Sequence, residues 1–131
     1  MGVIVNYNLT EELSHGIYVS CLVRDLSLEL GLEESLVYRF KLAGLLHDIG
    51  KLTEFTVRDG APVYSESAKL LRHPLAGAIV AAEVGLPDAI VNLIATHSFE
   101  GDRSVRTREA DFVRTIDDFV FKCTVAGLSK K

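Results

Sequence analysis

Apolar residues recur at helical spacing along almost the whole of this 131-residue chain, and one β-prone stretch breaks the pattern. A chain of this kind folds as an all-α bundle with one excursion. Thr10 can N-cap a first helix, with Glu11 and Glu12 in its first turn, and Gly31 can end it. The spacing predicts a second helix over about 33–47, followed by Gly50. A third opens at Pro74 and stops at Gly85, before Pro87. A fourth covers about 88–97, and a fifth about 107–121 or beyond. The excursion lies within 53–65. There Asp59-Gly60 stands between the β-prone runs Phe55-Thr56-Val57-Arg58 and Ala61-Pro62-Val63-Tyr64, which predicts a small hairpin or ordered loop. The polar segment 98–106, with Gly101, reads as a loop. No internal repeat or low-complexity segment is present.

Length and composition narrow the function classes. The length suits a single domain over 1–131. A composition of 48% hydrophobic and 24% charged residues is that of an ordinary globular protein, which excludes a disordered tail or a disulfide-rich miniprotein. The formal net charge of −4 argues against a binder of duplex nucleic acid that works by neutralising phosphates. Local basic clusters can still grip one small phosphate. Cys21 and Cys123 lie far apart in apolar helical patterns and read as buried reduced thiols. No apolar run approaches the ~20 residues of a membrane span. The opening MGVIVNYN lacks the features of a signal peptide, and Asn6 stands where a myristoylation signal needs Ser or Thr. The expected location is cytoplasmic, with no membrane partner.

The four histidines fall on unexpected faces. On a helical wheel His15 lies within the arc of Tyr18, Val19, Leu22 and Leu26, and His97 follows Ile90, Leu93 and Ile94 on their face. His47 ends the apolar run Leu42-Ala43-Gly44-Leu45-Leu46 and is followed at once by Asp48, while His73 stands at a helix N-terminus before Pro74. Polar groups in a core must be satisfied. Several imidazoles and a carboxylate satisfy one another most cheaply around a metal ion. In the last helix Asp117 falls inside the arc of Ala110, Val113, Val120 and Phe121, whereas Asp111 and Asp118 fall outside it, beside Arg114 and Lys122. Asp117 is therefore the carboxylate expected to face the core and to need a cation.

The string Leu45-Leu46-His47-Asp48-Ile49-Gly50-Lys51, with His15 one long helix earlier, resembles the signature of the HD-domain superfamily of metal-dependent phosphohydrolases. The family pattern of a His, an adjacent His-Asp pair and a distant Asp corresponds here to His15, His47, Asp48 and Asp117. His73-Pro74-Leu75-Ala76-Gly77 and Thr96-His97 resemble the branch that contains ribonuclease Y and the HD-GYP phosphodiesterases. That branch often has a His-His pair where this chain has His97-Ser98, which leaves a mono- or binuclear site rather than a trinuclear one. Glu109-Ala110, eight residues ahead of Asp117, is similar to the branch's spacing to its final metal Asp. No GYP-type sequence is present, so a cyclic-dinucleotide substrate is not indicated. The resemblance covers roughly 13–121 and implies a single HD-type bundle with the hairpin or loop inserted after the HD motif.

The resemblance implies one or two divalent ions per chain, of Mn, Fe, Co, Ni, Zn or Mg. His15, His47, Asp48 and Asp117 would hold the first. His73 and His97 would hold a second, with Asp48 bridging and a metal-bound water or hydroxide attacking a phosphoester. Lys51 follows Asp48 closely enough to contact a substrate phosphate and to act beside Asp48 in catalysis. Arg72, Arg103 and Arg106, with Arg108, flank His73 or the loop after His97 and are candidates for the rim of a substrate pocket. The 53–65 excursion either covers that pocket and sets substrate choice or only connects two helices. There is no Gly-rich phosphate loop, Ser-centred elbow or Cys-His pair.

Three functions compete on these residues. The first is hydrolysis of a phosphoester, of a nucleotide or small phosphorylated metabolite, with a single-stranded RNA end as another substrate. The second is a di-iron oxygenase of the His-rich binuclear type. The third is a non-catalytic sensor that binds metal or nucleotide. Nothing in the sequence decides between a monomer and a homo-oligomer.

Overall fold

The computed structural model describes the backbone of residues 2–128 and the side chains of residues 14–128. The described elements are α1 (Gly2–Glu29), α2 (Glu34–Leu46), a 3₁₀ turn (Ile49–Thr53), β1 (Phe55–Arg58), β2 (Ala61–Tyr64), α3 (Glu66–Leu70), α4 (His73–Glu83), α5 (Asp88–Thr96), a second 3₁₀ turn (Phe99–Gly101) and α6 (Arg108–Val125). The architecture is mostly helical, with one small two-stranded sheet.

Local chemistry accounts for most boundaries. Gly31 and Gly85 follow α1 and α4 with φ of 70° and 82°, and the amides of Leu32 and Leu86 close the helix ends onto Ser27 and Ala81. The Thr107 hydroxyl accepts the Ala110 amide at 3.0 Å and opens α6. Helix α1 begins well before Thr10, so the expected cap lies within the helix, and its side chain is outside the described ones. A capping residue is a preference, and neither Gly nor Pro interrupts residues 3–10 to enforce it. The short helix α3 was not expected; Ser65 caps it, accepting the Ala68 amide at 3.1 Å.

The hairpin forms as expected. Phe55 pairs with Tyr64 and Arg58 with Ala61, in antiparallel register. Asp59 and Gly60 both adopt positive φ, 53° and 76°, the geometry of a tight turn whose twist matches the strands. The Phe55 and Tyr64 rings stack with centroids 5.0 Å apart.

The core gathers Val19 and Val23 of α1, Phe40 and Ala43 of α2, Ala78 and Ala81 of α4, Ile90, Leu93 and Ile94 of α5, and Ala110, Val113, Ile116 and Val120 of α6. Its stripes are narrower than the sequence arcs. Tyr18, Leu26 and Phe121, expected to face inward, are 44%, 44% and 63% exposed. Helix α1 packs chiefly against α2 and only lightly on α6, so the covered stripe is no wider than one neighbour allows. Cys21 and Cys123 are free thiols, as expected, but half-buried rather than buried. No helix among the described residues is long and apolar enough to cross a membrane.

Candidate metal centre

Five helices and one turn deliver the histidines and aspartates to one place. His47 sits at the C-terminal end of α2 and is fully buried. Asp48 follows it and leads into the 3₁₀ turn. His73 opens α4, His97 ends α5, His15 lies on α1 and Asp117 on α6. Three groups hold candidate ligand atoms within 4.8 Å of one another: His15, His47 and Asp48; His47, His97 and Asp117; and Asp48, His73 and His97. All six residues named from the sequence for this cluster therefore converge.

The contacts within the cluster are close. His15 Nε2 lies 2.7 Å from Asp117 Oδ1 and 3.8 Å from Asp48 Oδ2. His47 Nε2 faces Asp117 Oδ1 at 3.3 Å and Asp48 Oδ2 at 3.4 Å. Asp48 Oδ1 lies 3.1 Å from His97 Nε2 and 3.3 Å from His73 Nε2. Asp48 thus stands between the two halves, one oxygen toward each.

The other ring nitrogens are tied back. His47 Nδ1 donates to the Gly44 carbonyl at 2.6 Å, and His97 Nδ1 to the Ile94 carbonyl at 2.7 Å. In the neutral ring this leaves Nε2 as a bare lone pair aimed into the cluster. A lone pair against a carboxylate oxygen repels unless a proton or a cation stands between them. His47 Nε2 is buried and makes no hydrogen bond among the described residues, despite the two carboxylates nearby. That orphaned nitrogen, with imidazole and carboxylate as the whole donor set, fits a divalent ion.

The carboxylates make the centre attractive to positive charge, proton or metal ion alike. Burial works against a charged His47 ring, but the carboxylates of Asp117 and Asp48 outweigh it and raise the group to about 10. Burial likewise opposes ionisation of Asp48, and the imidazoles of His47, His73 and His97 overcome it, holding the carboxyl far below the usual range. Asp117 is held low against its own burial by His15 and His47.

The basic residues divide. Lys51 Nζ lies 3.0 Å from Asp48 Oδ2, at the edge of the cluster. Arg72 is about half exposed at its rim, 3.8 Å from Glu54 Oε1 and 3.5 Å from Glu100 Oε1. Arg106 is instead a clamp. Its guanidinium donates to the Thr96 carbonyl at 2.8 Å and the Ser98 carbonyl at 3.4 Å, and pairs with Asp102 at 3.1 Å. Those contacts hold the end of α5, and with it His97. Arg103 is exposed and forms no ion pair among the described residues, and Arg108 is exposed at the start of α6.

Glu54 escaped the sequence reading. It is 4% exposed, and its Oε1 accepts the His73 backbone amide at 3.1 Å and lies 3.3 Å from His73 Nδ1. A glutamate between a five-residue turn and a four-residue strand carries no periodic signal from which burial can be read.

Two histidine sets joined by one aspartate, on a helical scaffold, define a centre able to hold metal. The profile of the HD domain matches residues 13–121. Ribonuclease Y of Clostridium tetani (strain Massachusetts / E88) is 35% identical over 105 residues, which make up 80% of this chain and 17% of that relative. No solved structure matches the chain. The chain belongs to the HD-domain family.

Proposed function

We propose that this chain hydrolyses a phosphoester of a nucleotide or a small phosphorylated metabolite. The observation that carries the reading is the set of three Nε2 atoms of His47, His73 and His97 converging on Asp48 with their Nδ1 atoms tied elsewhere. His15, His47, Asp48 and Asp117 would hold one divalent ion, and Asp48, His73 and His97 a second. When bound, such an ion supplies acidified water and neutralises charge on a phosphoryl group.

The chain's own residues supply the rest. Asp48 presents one oxygen to each half of the cluster, so a single side chain couples the two. The Lys51 ammonium, now on Asp48, is placed to meet a phosphate oxygen as a point charge once cations take over that carboxylate. Arg72 rests on two long carboxylate contacts at the rim and can turn to a substrate phosphate. Arg106 acts through His97, and Arg103 stays in solvent. The similarity to a protein named ribonuclease Y supports a single-stranded RNA end as a further substrate.

The test is elemental analysis of protein purified without chelator, paired with phosphate release from a panel of nucleotides and phosphorylated metabolites. Metal with turnover on that panel is the expected result. Full metal with no turnover on any phosphoester overturns the reading. A second reading, a di-iron oxygenase, draws on the His-rich group of Asp48, His73 and His97. Bound iron with oxygen consumption would select it.

A further inference from the structure

We propose that Glu54 is a positioning residue, which holds His73 as a ligand for the cation subsite formed with Asp48 and His97. The inference rests on reading the cluster as a cation site. It begins from where each histidine sits on its helix. His47 and His97 stand at the C-terminal ends of α2 and α5, where the carbonyls of the last turn have no helical partner. Each ring takes the carbonyl three residues back, Gly44 or Ile94, as the acceptor for its Nδ1 proton.

His73 stands at the opposite kind of end. It opens α4, where amides rather than carbonyls point outward, so its own helix offers Nδ1 no acceptor. Glu54 brings one from another segment. The 3₁₀ turn after Asp48 returns the chain beneath α4, and Glu54 Oε1 meets both the His73 amide and His73 Nδ1. One oxygen therefore caps the helix and sets the tautomer. With Nδ1 protonated, His73 Nε2 is a bare lone pair 3.3 Å from Asp48 Oδ1 and 3.3 Å from His97 Nε2. His97 Nε2 is bare by the same logic. Two imidazole lone pairs and a carboxylate oxygen facing one another are an arrangement for a cation.

A buried carboxylate is costly unless it is fully used. Glu54 is used on three sides, by the amide, the ring and, at 3.8 Å, the Arg72 guanidinium. Arg72 in turn lies 3.5 Å from Glu100, so the chain of contacts runs from the subsite to the surface.

The experiment compares the full chain with Glu54→Gln, Glu54→Asp, Glu54→Leu and His73→Ala. Imidazole ¹⁵N resonances of the metal-stripped proteins report the His73 tautomer, and Co²⁺ titration with elemental analysis reports ion binding. Glu54→Gln keeps an oxygen in place and should keep both the tautomer and the Co²⁺ affinity. Glu54→Leu should populate both tautomers of His73 and weaken one Co²⁺ about 10–100-fold, matching His73→Ala, with the ion at His15, His47 and Asp117 retained. Should Glu54→Leu fail to fold, Glu54→Asp, whose oxygen is drawn back from the ring, should show the same losses in part. The proposal is overturned if these variants keep the parent tautomer and bind Co²⁺ within about twofold of it. If His73→Ala binds Co²⁺ as the parent does, His73 is no ligand, and the cation reading of this half falls together with the role of Glu54.

Discussion

Gly50 lies so close to His73 that a Cβ built on it would fall 1.9 Å from the His73 carbonyl oxygen. The same Cβ would stand 2.6 Å from the Gly77 amide nitrogen. Backbone meets backbone here, and no side chain can turn away to make room. The contact seats the start of α4 on the turn after Asp48, which is what carries His73 to the cluster. Gly50→Ala should therefore destabilise the protein by on the order of 1–3 kcal/mol or more and weaken metal binding together with stability. Urea denaturation with and without Mn²⁺ measures both. A variant as stable as its parent would mean that the turn is free to shift.

Asp48→Ala should abolish metal binding and hydrolysis while the helical circular dichroism remains. The residue lies within 3.4 Å of three imidazoles and 3.0 Å of Lys51, with one oxygen toward each half of the cluster. Metal at 100 times its dissociation constant should stabilise the parent by about 2.7 kcal/mol and the variant not at all. Equal metal content in the two proteins would remove Asp48 from the site.

Three aspartates on α6 should behave differently. Asp117→Ala should lower metal affinity, because its carboxylate lies within 3.3 Å of His47 and 2.7 Å of His15. Asp111, 62% exposed and 3.5 Å from Arg106, should change stability by no more than about 0.5 kcal/mol when replaced by Ala. Asp118 pairs with Lys122 in solvent and should follow Asp111. Metal lost on Asp111→Ala would show that the wrong face of the helix had been chosen.

Asp102 ties the loop after α5 to α6 through Arg114 and braces the loop itself through Arg106. The Arg114 and Arg106 guanidiniums hold its carboxyl below the usual range. A carboxyl lowered in the folded state contributes stability above its unfolded value of about 3.9 and loses it as the pH falls. Asp102→Asn should melt below the parent at pH 7, and the difference should close toward zero below about pH 4. A gap of the same size at acidic pH would assign the effect to something other than this charge.

Much of the site was legible because its residues lie in helices long enough to have a phase. His97 belongs to the stripe of Ile90, Leu93 and Ile94, and Asp117 stands one place beyond the buried Ile116. The Asp59-Gly60 turn was legible for a different reason, since positive φ at two successive residues is a local demand that few residue pairs meet. Arg106 was a candidate for the pocket rim, and adjacency to His97 in sequence does not tell that its guanidinium takes the Thr96 and Ser98 carbonyls. Tyr18 and Leu26 were read as inward because a wheel shows apolarity, not how many neighbours arrive to cover it.

The residues alone, through periodicity and turn chemistry, determined the helical class, the hairpin and the set of imidazoles and carboxylates turned inward. Folding in three dimensions decided which stripe of each helix is covered, the seating of Gly50 on His73, and the use of Glu54 as the acceptor that α4 cannot supply. Periodicity is a property of one segment and is written within a few turns of chain. Coverage, close approach and hydrogen-bond partnership belong to pairs of segments distant in sequence, and exist only once those segments meet.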